Sequence, residues 1–244
     1  MVHLLWCLNM AAETEPAPIA ARAAGALWLV TIVTGIFAEV FVRGGLIVPN
    51  DPSATATNIM ASETFFRLGL TADLVVAMTQ AGASLLLYGI FRPVGQRLAV
   101  AQLSFALSGC VILAANLTAL SYPLILLGRL APLGGMSPAS LDLLAVGALK
   151  AYSVAYTVSL AFFAIQVGLI GLLILRSNLV PKLFGILFLI EAVCNTLYAY
   201  ALLLAPSAAA PLQSYALLPG LPAEVGFSGW LLLMGVRQAR SGAK

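Results

Sequence analysis

The chain has 244 residues, 61% of them hydrophobic and 9% charged, with 12 Lys+Arg against 9 Asp+Glu and a net charge of +3. An ordinary soluble domain runs at roughly 45–50% apolar and about 25% charged residues, and a globule of this size still shows much of its surface to water. The composition, with a mean hydropathy of +1.03, therefore excludes a soluble enzyme and makes lipid the solvent for most of the chain.

Residues 1–21 carry a short apolar stretch, Val2 to Met10, and then Ala/Glu/Pro-rich sequence. The stretch is too short to span and lacks the basic start of a signal peptide. A flexible N-terminal segment is expected, with Met10 as an alternative start. Six apolar segments follow, at 23–42, 65–91, 98–123, 151–175, 183–204 and 217–236. Each is long enough to cross hydrocarbon roughly 30 Å thick, which takes about 20 helical residues. Unpaired backbone is not tolerated in lipid, so all six are expected to be helices. The fold class is all-α: a polytopic transmembrane helical bundle over 22–237, closed by a short basic tail at 238–244.

Asp51-Pro52 and Ser137-Pro138 each set a capping residue before a proline at the first helical position, and predict short outer helices feeding the second and fourth spans. Residues 138–176 as one helix would be about 58 Å long at 1.5 Å per residue, so that segment must bend, tilt or protrude. Pro52 and Pro138 are 86 residues apart, Arg92 and Arg176 84, and Arg97 and Lys182 85. Parallel helical hairpins, a pattern known among transporters, give such spacing; membrane boundaries alone also produce it. With both termini inside, the inner side collects Arg22, Arg92, Arg97, Arg176, Lys182, Arg237, Arg240 and Lys244. The outer side keeps Arg43, Arg67, Arg129 and Lys150. The positive-inside rule favours that orientation.

A single histidine, His3, precedes every apolar segment, which argues against imidazole metal sites and Ser-His or Cys-His nucleophiles. Gly226-Phe227-Ser228-Gly229 matches the Gly-x-Ser-Gly of rhomboid-type intramembrane proteases, but their serine needs a histidine on a neighbouring helix. Small residues for close helix approach are the simpler reading. Cys7, Cys110 and Cys194 are odd in number and far apart, so no structural disulfide is expected. Lys150, Lys182 and Lys244 fall at helix ends or in the tail, which argues against a retinal-type Schiff base. Neither a phosphate loop nor an Asp-rich magnesium motif occurs, and the net positive charge comes from helix-boundary residues; no cofactor, metal or nucleic-acid partner is expected.

The informative residues are the charges inside the spans, where an ionisable group costs roughly 2.5–3.5 kcal/mol on insertion scales. Glu39, Asp73 and Glu224 fall in the outer half of their segments and Glu191 near the middle, with Arg43 and Arg67 at outer helix ends. Tyr152, Tyr156, Ser159 and Gln166 form one stripe of the fourth span; Glu191, Asn195 and Tyr198 form one on the fifth. Asn116 lies in the outer part of the third. Together they predict a polar pocket opening outward over an apolar inner half. Duller readings exist for some: Glu39 and Arg43 as an i, i+4 surface pair, Arg67 snorkelling to headgroups, Tyr152 and Tyr156 as an interfacial belt. Four carboxylates against two arginines leave negative charge unmatched, to be met by a proton or another cation.

The stretches Arg22-Ala-Ala-Gly-Ala-Leu-Trp-Leu to Phe37-Ala-Glu-Val, Phe66-Arg-Leu-Gly-Leu-Thr-Ala-Asp73, Ser137-Pro138 and Leu218-Pro-Gly-Leu-Pro-Ala-Glu224 resemble the bacterial multi-pass family catalogued as domain of unknown function 4386, over roughly residues 20–240. The resemblance implies an integral membrane protein of the bacterial inner membrane and carries no activity or catalytic residue. Three functions are weighed. The first is binding or translocation of a small amphiphile, cation or proton through the outward pocket, with membrane lipids as surroundings. The second is an enzyme acting on a lipid or isoprenoid, with the carboxylates as acid and base and Arg67 steering a headgroup. The third is an accessory or assembly protein in which the polar groups only specify packing.

Overall fold

The structure, a computed structural model, describes residues 17–128, 136–209 and 220–236. The segment 1–16, Arg129, Arg237 and the 238–244 tail lie outside the described residues. Among the described residues there are helices and no strand. Helix α1 (Ala17–Ile36) runs on as a π-helical segment, Phe37–Arg43, and one last α turn, Gly44–Leu46. Then come α2 (Pro52–Ala61), α3 (Glu63–Phe91), α4 (Gln96–Leu127), α5 (Pro138–Arg176), α6 (Lys182–Leu204), the short α7 (Pro206–Ala209) and α8 (Gly220–Met234).

Pro18–Leu46, Glu63–Phe91, Gln96–Leu127, Pro138–Arg176 and Lys182–Leu204 are long and apolar enough to cross a membrane. The sixth expected segment forms α8, whose 15 residues rise about 22 Å, so on length it differs from the other five. Large apolar side chains stand exposed on each of the five: Val33, Met78, Val111, Leu143 and Leu197 are 63–68% exposed. Glutamines and serines are buried instead, with Gln102 and Gln166 at 0%. Such apolar surface is what lipid, not water, accommodates; the chain is a membrane protein.

Both helix starts read from Asp-Pro and Ser-Pro are present. Asn50 adopts a left-handed φ of 62°, which asparagine tolerates, and turns the chain into Asp51. The Asp51 carboxylate then accepts from the Ala54 amide at 2.9 Å, with Pro52 opening the helix. Ser137 Oγ accepts from the Ser140 amide at 3.3 Å. Only the first of these two helices is separate. Ser62 leaves helical geometry (φ −125°, ψ 40°) and divides α2 from α3, whereas α5 runs unbroken through 39 residues.

By backbone proximity the chain falls into two compact units. One comprises Met1–Val30, Thr79–Gly109 and Leu160–Lys244; the other comprises Thr31–Met78 and Cys110–Ser159. In the first, Trp28, Phe188 and Phe227 pack ring to ring at 5.0–6.0 Å. Small residues bring its helices together: a Cβ on Gly25 would stand 2.6 Å from the Ser228 carbonyl oxygen, and one on Gly171 2.8 Å from that of Gly185. This is how spanning helices approach closely. In the second unit, Val42, Ile59, Phe66, Leu117, Leu120, Leu149 and Tyr152 form one apolar core.

Candidate functional site

In the unit of Thr31–Met78 and Cys110–Ser159, the π-helical segment presents Arg43. A π turn holds one residue more than an α turn, so it re-aims the side chains beyond it, and such turns recur at functional sites. Arg43 lies with its Nη1 2.5 Å from Asp73 Oδ2 and its Nη2 3.2 Å from Asp73 Oδ1, a two-pronged pair. Its Nε donates to Glu39 Oε2 at 2.7 Å. The Tyr152 hydroxyl donates to Asp73 Oδ2 at 3.2 Å, and the guanidinium carbon sits 5.1 Å from the Tyr152 ring centroid, within cation–π range. Asn116 Nδ2 donates to the Tyr152 carbonyl at 2.8 Å, joining α4 to α5. Tyr156 packs on Tyr152 with ring centroids 6.2 Å apart.

Arg43, Asp73 and Tyr152 are buried, while the Glu39 side chain is 61% exposed. The cluster therefore holds two carboxylates against one guanidinium, and the excess negative charge ends on an exposed group. Gly69 makes the pairing sterically available. A Cβ there would stand 2.7 Å from Val42 Cγ1, and Gly69 lies one helical turn before Asp73 on the same face. Arg67 does not join: its Nη2 pairs with Glu63 Oε1 at 2.7 Å, both side chains largely exposed. A cleft of about 570 Å³ in the same unit is lined by Ala56, Met60, Leu127, Leu141 and Asp142 among others, and by none of the Arg43 cluster.

In the other unit lie Gln166, Glu191, Asn195, Tyr198 and Glu224. Glu191 on α6 is buried against α8, where a Cβ on Gly220, one turn before the half-buried Glu224, would stand 3.1 Å from Glu191 Oε1; the Glu191 and Glu224 carboxyls interact side chain to side chain, and the Trp28 side chain is a further partner of Glu224. Phe188, Glu191, Asn195 and Ala199 form the buried stripe of α6. Glu191 Oε2 and Asn195 Oδ1 are both buried and have no hydrogen-bond partner. Tyr198, one turn further along, is half-buried. Among the described residues, no lysine or arginine pairs with either carboxyl.

Gln166 belongs to a separate network. Gln80 Nε2 donates to Gln166 Oε1 at 3.1 Å, Gln166 Nε2 to Ser84 Oγ at 2.9 Å, and Gln102 Nε2 to the Ser84 carbonyl at 3.1 Å. These bonds tie α3, α4 and α5 together.

Sequence reasoning missed Trp28 and the two glycines. Asp73 and Glu224 sit in the same local pattern, Gly69-Leu-Thr-Ala-Asp73 and Gly220-Leu-Pro-Ala-Glu224. In each, the glycine one turn before the acid admits the neighbour: Val42, beside Arg43, in the first, and the Glu191 carboxyl, 3.1 Å from a Cβ on Gly220, in the second. The recurring Gly-Leu-x-Ala-acid pattern was the available signal. One backbone device thus serves opposite electrostatics, acid against base and acid against acid. Neither a curated protein nor a solved structure matches the chain. Residues 23–235, which carry every side chain of both clusters, match the family described as Domain of unknown function (DUF4386), and the chain belongs to that family.

Proposed function

We propose that the protein binds and moves a proton or small cation across a bacterial cytoplasmic membrane, with the Glu191–Glu224 pair as its ion site and both termini inside. The observation that carries this reading is the buried Glu191 carboxyl set against α8 at Gly220, one turn from Glu224 and interacting with its carboxyl, with no lysine or arginine pairing with either among the described residues. Two acidic groups set together in an apolar surround repel each other when both are ionised, so they hold a shared proton or a cation between them. Asp73 needs no such ligand, because Arg43 already balances it. The excess of Lys and Arg at the boundaries assigned to the inside supports that orientation.

Purified full-length protein reconstituted into vesicles provides the test. Under an inside-negative potential, with a pH-reporting dye or radioactive sodium as tracer, proton or Na+ influx should exceed that of protein-free vesicles. Glu191→Gln and Glu224→Gln should each return it to the protein-free level. Wild-type influx no faster than in empty vesicles refutes the reading.

A further inference from the structure

We infer that the Glu191–Glu224 site takes a dehydrated alkali cation, with Asn195 Oδ1 as a neutral third ligand; this rests on the reading of the pair as an ion site and names its ligand. The argument starts from two stranded acceptors. Glu191 is 3% and Asn195 6% exposed, and Glu191 Oε2 and Asn195 Oδ1 have no hydrogen-bond partner. An unsatisfied buried acceptor costs about 1–3 kcal/mol, more when charged, so two of them one turn apart on the same stripe require a common explanation. A proton shared between the carboxyls satisfies the pair and leaves both stranded oxygens as they are. A cation can take Glu191 Oε2, a Glu224 oxygen and Asn195 Oδ1 together.

The donor set selects the class. Oxygen-only ligands suit a hard cation rather than a zinc- or copper-like ion. Two carboxyls and one amide fall short of the six to eight oxygens that calcium collects. The site is also tight: Gly220 stands against the Glu191 carboxyl, with a Cβ on it only 3.1 Å from Oε1. The rings of Trp28, Phe188 and Phe227 pack on one another beside these residues. That crowding favours a bare monovalent ion over an organic ammonium.

The test is thermal unfolding of the full chain in detergent, in NaCl, LiCl, KCl or choline chloride at equal ionic strength. A ligand that binds the folded state raises the midpoint as its concentration rises. At least one alkali cation should raise the midpoint above that in choline. Asn195→Ala should shift the half-saturating concentration upward by about tenfold or more, the scale of a disturbed ligand shell. Gly220→Ala, whose added methyl would have Glu191 atoms as its three nearest neighbours, should weaken the same response and serves if Asn195→Ala fails to fold. A midpoint identical in all four salts, alongside proton influx that still depends on Glu191, overturns the inference, assigns the stranded oxygens to water and leaves the proposed function standing. An alkali response unchanged in both variants overturns it as well. No alkali response and no proton influx removes both.

Discussion

Arg43 is charged and buried in a membrane-spanning segment, an arrangement tolerable only because all three of its nitrogens find carboxylate oxygens. The two carboxylates are not equivalent. Asp73 is sealed in with Arg43, so Asp73→Asn leaves a buried guanidinium short of its partner and should cost about 3–5 kcal/mol. Glu39 is exposed, and Glu39→Gln should cost less than about 1 kcal/mol, the range of exposed pairs. Tyr152→Phe removes a single hydroxyl donor from Asp73 and should fall between the two. Reversible unfolding in mixed micelles ranks the three; equal losses for Asp73→Asn and Glu39→Gln would mean that the pair is solvated. Part of this was legible in the residues: Glu39 and Arg43 stand at i, i+4, and both Asp73 and Tyr152 were candidates. The burial of Arg43 was not, because a π turn inside an apolar run leaves no mark on periodicity when nearly every residue there is apolar. The split of the twelve polar candidates into the Arg43 cluster, the Glu191 pair and the glutamine network, with Arg67 in none of them, was equally hidden, since residue type gives depth along a helix and not which neighbour a face meets.

At the scale of elements, glycine decides how closely two helices come, and its effects are specific to position. Gly69→Ala forces a methyl to within 2.7 Å of Val42 and Gly25→Ala one to within 2.6 Å of the Ser228 carbonyl, while a Cβ on Gly45 or Gly147 meets nothing within 4 Å. The first two substitutions should destabilise by about 1–3 kcal/mol, as overpacking does. Gly147→Ala, inside α5, should be neutral or slightly stabilising through helix propensity. Gly69→Ala should also loosen Asp73 from Arg43, so its cost should shrink in an Asp73→Asn background; full additivity would show that the glycine acts on packing alone. Helix existence was readable from hydropathy, but helix ends were not. The segment expected to stop at Pro123 continues to Leu127. Hydropathy marks where lipid ends, and a helix stops where its backbone groups find other partners. The two Pro-led starts differ for a similar reason: Ser62 ends α2, and nothing interrupts α5.

For the whole molecule, the open quantity is the number of crossings, and α8 decides it. It is shorter than the five helices long enough to cross, yet it carries Glu224 and meets α1 so closely at Gly25 that a Cβ there would stand 2.6 Å from the Ser228 carbonyl oxygen. Those contacts are of the kind made by helices that cross together. Gln80 on α3 and Gln166 on α5 hydrogen-bond to each other. Charge bears on the same question. If α8 crosses, Arg237, Arg240 and Lys244 join Arg92, Arg97, Arg176 and Lys182 on one side; if it does not, they fall opposite, and the excess of positive charge inside disappears. Alkaline phosphatase fused after Lys244 should therefore be inactive in a bacterial host, where a fusion after Ala209 is active, and a fluorescent protein at Lys244 should fold and fluoresce. Phosphatase activity at both positions would leave five crossings and put Glu224 on a helix that does not traverse the bilayer, which would also remove the ion path proposed through it.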